Sequence, residues 1–173
     1  MVGEVRQRHG RSKTTSFLIL DAQSVKNTST AKEKGYDAGK KVSGIKRHIA
    51  VDSQGLPHGL LVTTANVSDK AGALRLLGGE RSNLQSVVNV MVDGGYQGQP
   101  FANSVQEQIG ATVEVVKRSE LHTFKVIPKR WVVERSFAWL EKCHRLWKNP
   151  EYYLNTSLQM MVLAFVALLL KRF

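Results

Sequence analysis

The sequence predicts an α/β fold, a mixed β-sheet flanked by helices, and three observations predict it. Apolar, β-branched runs of strand length recur along the chain. After the third such run, strand-like segments alternate with segments of helical spacing. Glycines and short polar stretches mark most of the boundaries. Three strands followed by strand–helix alternation imply a mixed sheet with helices on its faces. At 173 residues the chain fits one domain and can bury a full core.

The elements follow in order. Residues 1–16, with Arg6, Arg8, Arg11 and Lys13, read as a basic N-terminal arm, and the domain proper is expected over 17–173. Phe17 to Leu20 is an apolar run leading directly into Asp21, where the strand is expected to end. Asn27 to Lys41 is rich in Lys, Gly, Ser and Thr and reads as a loop. Lys46 to Val51 and Leu56 to Thr63, separated by Asp52-Ser-Gln-Gly55, give a hairpin signal. Ser68 or Asp69 can cap a helix through Ala71, Ala73, Leu74 and Leu77, stopped by Gly78-Gly79. Val87 to Val92 is a further apolar strand, ended sharply by Asp93-Gly-Gly-Tyr-Gln-Gly98. Pro100 opens a helix carrying Phe101, Val105 and Ile109, and Gly110 terminates it. Thr112 to Val116 is another buried strand, and from Trp131 the spacing turns helical. An RNase H-like fold has this order.

Composition narrows the partners. Hydrophobic content of 42% and charged content of 23% are ordinary for a globular chain. The balance is not: 25 Lys and Arg face 14 Asp and Glu, a net charge of +11. A field of that sign favours polyanions, either nucleic acid or an anionic membrane surface. Cys143 is the only cysteine, which excludes an internal disulfide or a Cys-based zinc site and suits a reducing cytoplasm. Met1 to Arg11 lacks the apolar core of a signal peptide. Leu158 to Leu170 is shorter than the roughly 20 residues of a membrane span and reads as a buried closing helix.

In so basic a chain, acids at the ends of buried strands need a reason. Asp21 and Asp93 occupy such ends, and ligands of open α/β sheets gather beyond the carboxyl ends of strands. If the first and fourth strands are neighbours, the two carboxylates face each other, and a hard divalent cation resolves their repulsion. Two such ions, about 3.5–4 Å apart, suit in-line attack at phosphorus. Asp is also a common turn former, which accounts for both positions equally well. Glu134 and Glu141, seven apart on one helix face, are both available as a third acid, with Arg130 four residues before the first. An ordinary solvated face accounts for both glutamates too. His48, expected near Asp21 on an adjacent strand, and Trp131, Phe137 and Trp139, expected in the core, read as structural.

Six segments in series, Leu20-Asp-Ala-Gln-Ser-Val-Lys26, Gly35-Tyr-Asp-Ala-Gly-Lys-Lys41, Lys46-Arg-His-Ile49, Ala65-Asn-Val-Ser-Asp69, Asp93-Gly-Gly-Tyr-Gln-Gly98 and Arg130-Trp-Val-Val-Glu-Arg-Ser-Phe-Ala-Trp-Leu140, resemble the DDE transposases of bacterial insertion sequences. The resemblance runs from about Arg11 to Phe173. It implies an RNase H-like catalytic domain and a triad of Asp21, Asp93 and Glu134, which chooses Glu134 over Glu141. Relatives of this kind carry Tyr, two residues, Arg, three residues, Glu, six residues, then Lys. Here Arg130 and Glu134 keep the central spacing, Ile127 stands at the Tyr position and Glu141 at the Lys position, with Lys142 one residue late.

The implied activity is metal-dependent hydrolysis of a DNA phosphodiester and strand transfer into target DNA, with the three acids holding Mg²⁺, in two ions, and Mn²⁺ substituting. Arg130, Arg135, Lys142 and Arg145, with His144 and Lys148, are expected to contact DNA. Implied partners are element ends and target DNA, further copies of the chain in an active complex, and an N-terminal segment from a separate reading frame. The first strand begins near Phe17, so the chain resembles a second reading frame or a truncated copy, without sequence-specific end binding of its own. A cytoplasmic, nucleoid-associated location follows. The alternatives are a resolvase-like nuclease, or an inactive remnant that only binds DNA.

Overall fold

The structure, a computed structural model, describes residues 1–116 and 130–171, the side chain of Arg130 excepted. Six strands form one sheet in the order β2–β3–β1–β5–β6, with β4 also paired to β3. β1 (Phe17–Lys26), β2 (Gly35–Asp37), β3 (Val42–Val51) and β4 (Pro57–Thr64) are linked by antiparallel pairings. β5 (Asn89–Asp93) and β6 (Thr112–Val116) join in parallel, β5 against β1. The helices are α1 (Val2–Arg8), α2 (Asp69–Gly79), α3 (Gln99–Ile109), α4 (Arg130–Glu141) and α5 (Leu154–Leu170).

The pleat divides the core in two. Leu18, Leu20, Val90 and Val92 turn to one face, where they pack with Ala73, Leu76 and Leu77 of α2 and Phe101, Val105 and Ile109 of α3. Ile19, Val25, Ile45, Ile49 and Met91 turn to the other, against Val132, Val133, Phe137 and Leu140 of α4 and Met161 and Phe165 of α5. The mixed sheet with helices on both faces is the predicted class.

Several boundaries differ from expectation. β1 does not end at Asp21: β3 remains as a partner through Ile19↔Val51 to Lys26↔Gly44, so the strand outlasts its apolar run. The expected loop 27–41 contains β2, which pairs Gly35–Asp37 with Val42–Gly44. Ser68 is the cap of α2, its side chain accepting from the Ala71 amide, while Gly78 and Gly79 lie inside the helix they were expected to stop. α5 buries only one stripe, Ser157, Met161, Phe165 and Leu169, and leaves Leu163 and Leu170 exposed. No helix among the described residues is long and apolar enough to cross a membrane.

The first sixteen residues do not extend from the body as an arm. Val5 packs with Leu56 and Leu169, and the buried Arg6 pairs with the fully buried Asp52. Arg6 also donates to the carbonyls of Ser12 and Thr14, fixing the segment that enters β1. Asp52 in turn accepts from the amides of Gln54 and Leu56 at 2.8 and 3.0 Å and so shapes the β3–β4 turn. Burial alone would raise the Asp52 carboxyl, but His58, the two amides and Arg6 together hold it below its usual range. Removing one member of a buried pair strands the other. Arg6→Ala is therefore expected to cost about 3–5 kcal/mol, read as a lower urea midpoint. An unchanged midpoint would mean that α1 does not hold the turn.

Candidate active site

Parallel pairing of β1 with β5 runs Phe17↔Asn89, Leu18↔Val90 and Ile19↔Met91. The same offset carried forward sets Asp21 level with Asp93, the last residue of β5. Adjacent strands lie about 4.8 Å apart, so the two half-buried acids stand side by side. Both sit on the sheet face that carries Ile19 and Met91, beneath α4. They line one crevice with Val116 at the end of β6 and Val133 of α4, with room for about one water molecule.

Local chemistry orients both. The amide of Gly95 donates to Asp93 Oδ1 at 2.9 Å, making Asp93 the cap of a short 3-10 turn over Gly94–Tyr96. The amide of Ala22 donates to Asp21 Oδ1 at 2.7 Å. Tyr96, buried against Phe101, lies in the field of the acids. Burial first, then the charges of Asp21, Asp69 and Asp93, push its phenol well above the usual range, so it stays protonated.

Glu134 follows Val133 on α4 and is exposed. It shares a helix face with Glu141, whose carboxylate accepts from Gln23 Nε2 at 2.8 Å. Gln23 lies two residues beyond Asp21 on the same face of β1. The stripe bearing Glu134 therefore runs along the edge of the crevice that holds the aspartates. Among the described residues no three His, Cys, Asp or Glu side chains are grouped closely enough to hold a metal ion. Asp21 and Asp93 are brought together; Glu134 is placed beside them without joining them. The donors themselves, paired carboxylate oxygens, fit a hard divalent cation.

The expected DNA contacts divide. Arg135 is committed internally, with its guanidinium 4.5 Å from the Trp131 ring centre and 4.8 Å from that of Trp139, and donating to the Gln54 carbonyl at 2.8 Å. Trp131, expected in the core, is instead half exposed as one side of this sandwich, while Phe137 is buried. Arg145 is paired with Glu151 at 2.7 Å but remains largely exposed. Lys142, His144 and Lys148 are exposed. The Arg130 side chain and Ile127 lie outside the described residues.

The sequence reading missed a second centre. Lys46, buried in β3, bonds Asp37 at 3.0 Å, Asp69 at 2.8 Å and the Val67 carbonyl at 2.9 Å. Asp37 also accepts from Ser24 at 2.6 Å. That bond, with the Lys40 amide and Lys46, outweighs burial and holds its carboxyl well below the usual range. Burial works against the Lys46 ammonium, yet Asp69 and Asp37 leave it raised. The available signal was a lysine set within the apolar alternation of a strand. Arg47 was passed over for the same reason.

His48 does not join the acids. It sits opposite Ala22, on the other face of the sheet from Asp21, and its Nε2 lies 3.0 Å from Thr63 Oγ1. A Cβ on Gly72 of α2 would come within 2.0 Å of its ring, so only glycine admits the close approach.

The family model of the transposase DDE domain matches residues 12–170. A Burkholderia cepacia protein provisionally named transposase for insertion sequence element IS402 is 34% identical over 110 residues, covering 60% of this chain and 52% of that protein. The chain thus spans about half the length of the curated relative it matches. Among solved structures, a chain of the simian T-cell lymphotropic virus intasome in complex with PP2A regulatory subunit B56 gamma superposes with a TM-score of 0.56. It shares 14% identity, over 88% of this chain and 47% of its own. That likeness is one of fold and agrees with the RNase H-like architecture.

Burial pushes the His48 imidazole down to about 4, against an upward pull from Asp69. The folded state keeps it neutral while the unfolded chain protonates near pH 6.5. Its contribution is therefore whole above about pH 6.5 and fades as pH falls toward 4. Between pH 7 and 4.5 unfolding should lose roughly 2–3 kcal/mol from this group. His48→Gln should flatten that part of the profile, and Gly72→Ala should destabilise by about 1–3 kcal/mol at any pH. Parallel profiles for wild type and His48→Gln would contradict the assignment.

Proposed function

The chain belongs to the transposase DDE domain family, and from that membership we propose that it is the catalytic part of an insertion-sequence transposase, cutting DNA and joining the freed end to a target. The observation that carries this reading is the β1–β5 register, which sets Asp21 level with Asp93 where the parallel pairing gives out.

Asp21 and Asp93 would hold the metal from the sheet, and Glu134 would reach it from α4. The residue types suit Mg²⁺, with Mn²⁺ as a substitute. A divalent metal held by these carboxylates would supply Lewis-acid polarisation of the phosphodiester and activation of the attacking hydroxyl. The chain's own side chains orient and exclude. Gly95 holds Asp93 toward the crevice. Ile19, Met91 and Val133 wall its base with apolar surface, which keeps water from weakening the carboxylate field. Tyr96, protonated, adds no further negative charge.

The net charge of +11 supplies a general attraction for the DNA backbone, and Lys142 and Arg145 stand exposed beyond α4 to meet it. Residues 17–173 form the catalytic domain in this reading. Element-end recognition, assembly with further copies and contact with a separate N-terminal segment belong to the complete transposase. A form that binds DNA without cutting it is the second reading. It is favoured by one feature, that Glu134 stands apart from the two aspartates.

The test is Mn²⁺-dependent nicking of supercoiled plasmid by the purified chain, beside Asp21→Ala, Asp93→Asn and Glu134→Gln. Each variant should lose activity on the order of 100-fold or more with an unchanged melting temperature. Nicking that survives all three substitutions would rule out the carboxylate mechanism. Salt-sensitive DNA binding with no nicking by wild type would select the second reading.

A further inference from the structure

Beyond Gln23 the same sheet face opens into a cleft of about 460 Å³, bounded by Gln23, Lys26, Arg47, Glu141, Trp147 and Lys148. Arg47 is the unusual member. It lies directly opposite Gln23 across β1 and β3, on the face turned to α4, and is 2% exposed. Among the described residues its Nε has no hydrogen-bond partner, and neither has Oε1 of Gln23 beside it. Glu141 is near enough for its charge to favour the guanidinium, but it bonds Gln23, and no ion pair joins it to Arg47. Burial lowers this arginine to about 10, the mark of a cation short of compensation.

A buried cation without an acid is expensive to keep. Among the described residues, the other buried Lys and Arg side chains have partners: Arg6 has Asp52, and Lys46 has Asp37 and Asp69. Arg47 instead faces an open cleft whose rim adds Lys26 and Lys148, so three cations stand against the single carboxylate of Glu141. A guanidinium fork suits a phosphate geometrically better than an ammonium does. Position agrees as well. Gln23 lies two residues along β1 from Asp21, about 6.6 Å, comparable to the step between successive phosphates of one DNA strand.

We propose that this cleft seats a backbone phosphate of the bound DNA, with Arg47 as its principal ligand and Lys26 and Lys148 at its mouth. The inference rests on the DNA reading above and adds a subsite to it. Glu141 opposes the phosphate, so its removal strengthens the site rather than weakening it.

The measurement is fluorescence anisotropy of a short labelled duplex, without divalent metal, against the full chain across a range of salt. Arg47→Gln should weaken binding by about tenfold and lower the salt slope by about one. Lys148→Gln should weaken it less, and Glu141→Gln should tighten it. The last two sites are exposed and keep the test alive if Arg47→Gln does not fold. Unchanged affinity and slope in Lys148→Gln and Glu141→Gln would overturn the subsite while leaving the nicking result to judge the transposase reading. The expected pattern with no Mn²⁺-dependent nicking would keep the subsite and remove the catalytic reading. Stabilisation by inorganic phosphate that Arg47→Gln abolishes, with no binding of duplex, would assign the cleft to a free anion and overturn the DNA assignment.

Discussion

Strand β1 has partners of opposite direction on its two edges, and the site depends on where one of them stops. Against β3 it stays paired antiparallel from Ile19 to Lys26; against β5 it is paired in parallel only from Phe17 to Ile19. Asp21 therefore lies on a strand that is still fully held on one edge and has just been released on the other. That combination fixes the backbone under the carboxylate and opens the space beside it. Asp93 ends β5 at the same level, with its amide-capped side chain turned into the gap. Two like charges at this separation repel, and a fold built only for stability would place apolar residues there. Their retention at a strand-end crevice is what gives the arrangement chemical meaning.

On the opposite face, the sheet beside these acids is tied together by a buried ion-pair network. Lys46 reaches from β3 to Asp37 at the end of β2 and to Asp69 at the start of α2, and Ser24 on β1 completes the link to Asp37. Four of the six sequence segments that suggested the family thus meet at one buried ammonium. Their joint appearance in the sequence has a physical explanation in this network. Replacing Lys46 by a neutral residue would leave the two partly buried carboxylates of Asp37 and Asp69 without that counter-charge, on the side of the sheet next to Tyr96.

Much of this was legible in the sequence because it rests on local rules. Apolar runs gave the strands, Gly110 in the left-handed conformation marked the end of α3, and Ser68 capped α2. The pairing of Asp21 with Asp93 followed once the first and fourth apolar strands were taken as neighbours. What stayed hidden depends on partners far apart in sequence. β1 continues past its apolar run because β3 lies alongside. Arg6 looked like part of a loose basic arm because its partner, Asp52, is 46 residues away. For Arg135, expected to contact DNA, neither the tryptophan sandwich nor the bond to the Gln54 carbonyl can be read from α4 alone.

That last case bears on how a basic protein addresses DNA. Net charge counts side chains, whereas the local field depends on which of them are already engaged. Arg6 and Lys46 each face an acid and are buried, Arg135 is held between two rings, and Arg145 stays exposed but shares its charge with Glu151. Arg47 runs the other way. Hidden from solvent and counted like any other arginine in the composition, it presents a guanidinium to an open cleft two residues along β1 from the paired aspartates. In low dielectric a charge so placed acts more strongly on a bound phosphate than several on the surface, where water and salt screen them. In the proposed subsite, the cation that matters most is therefore one that surface charge alone would overlook.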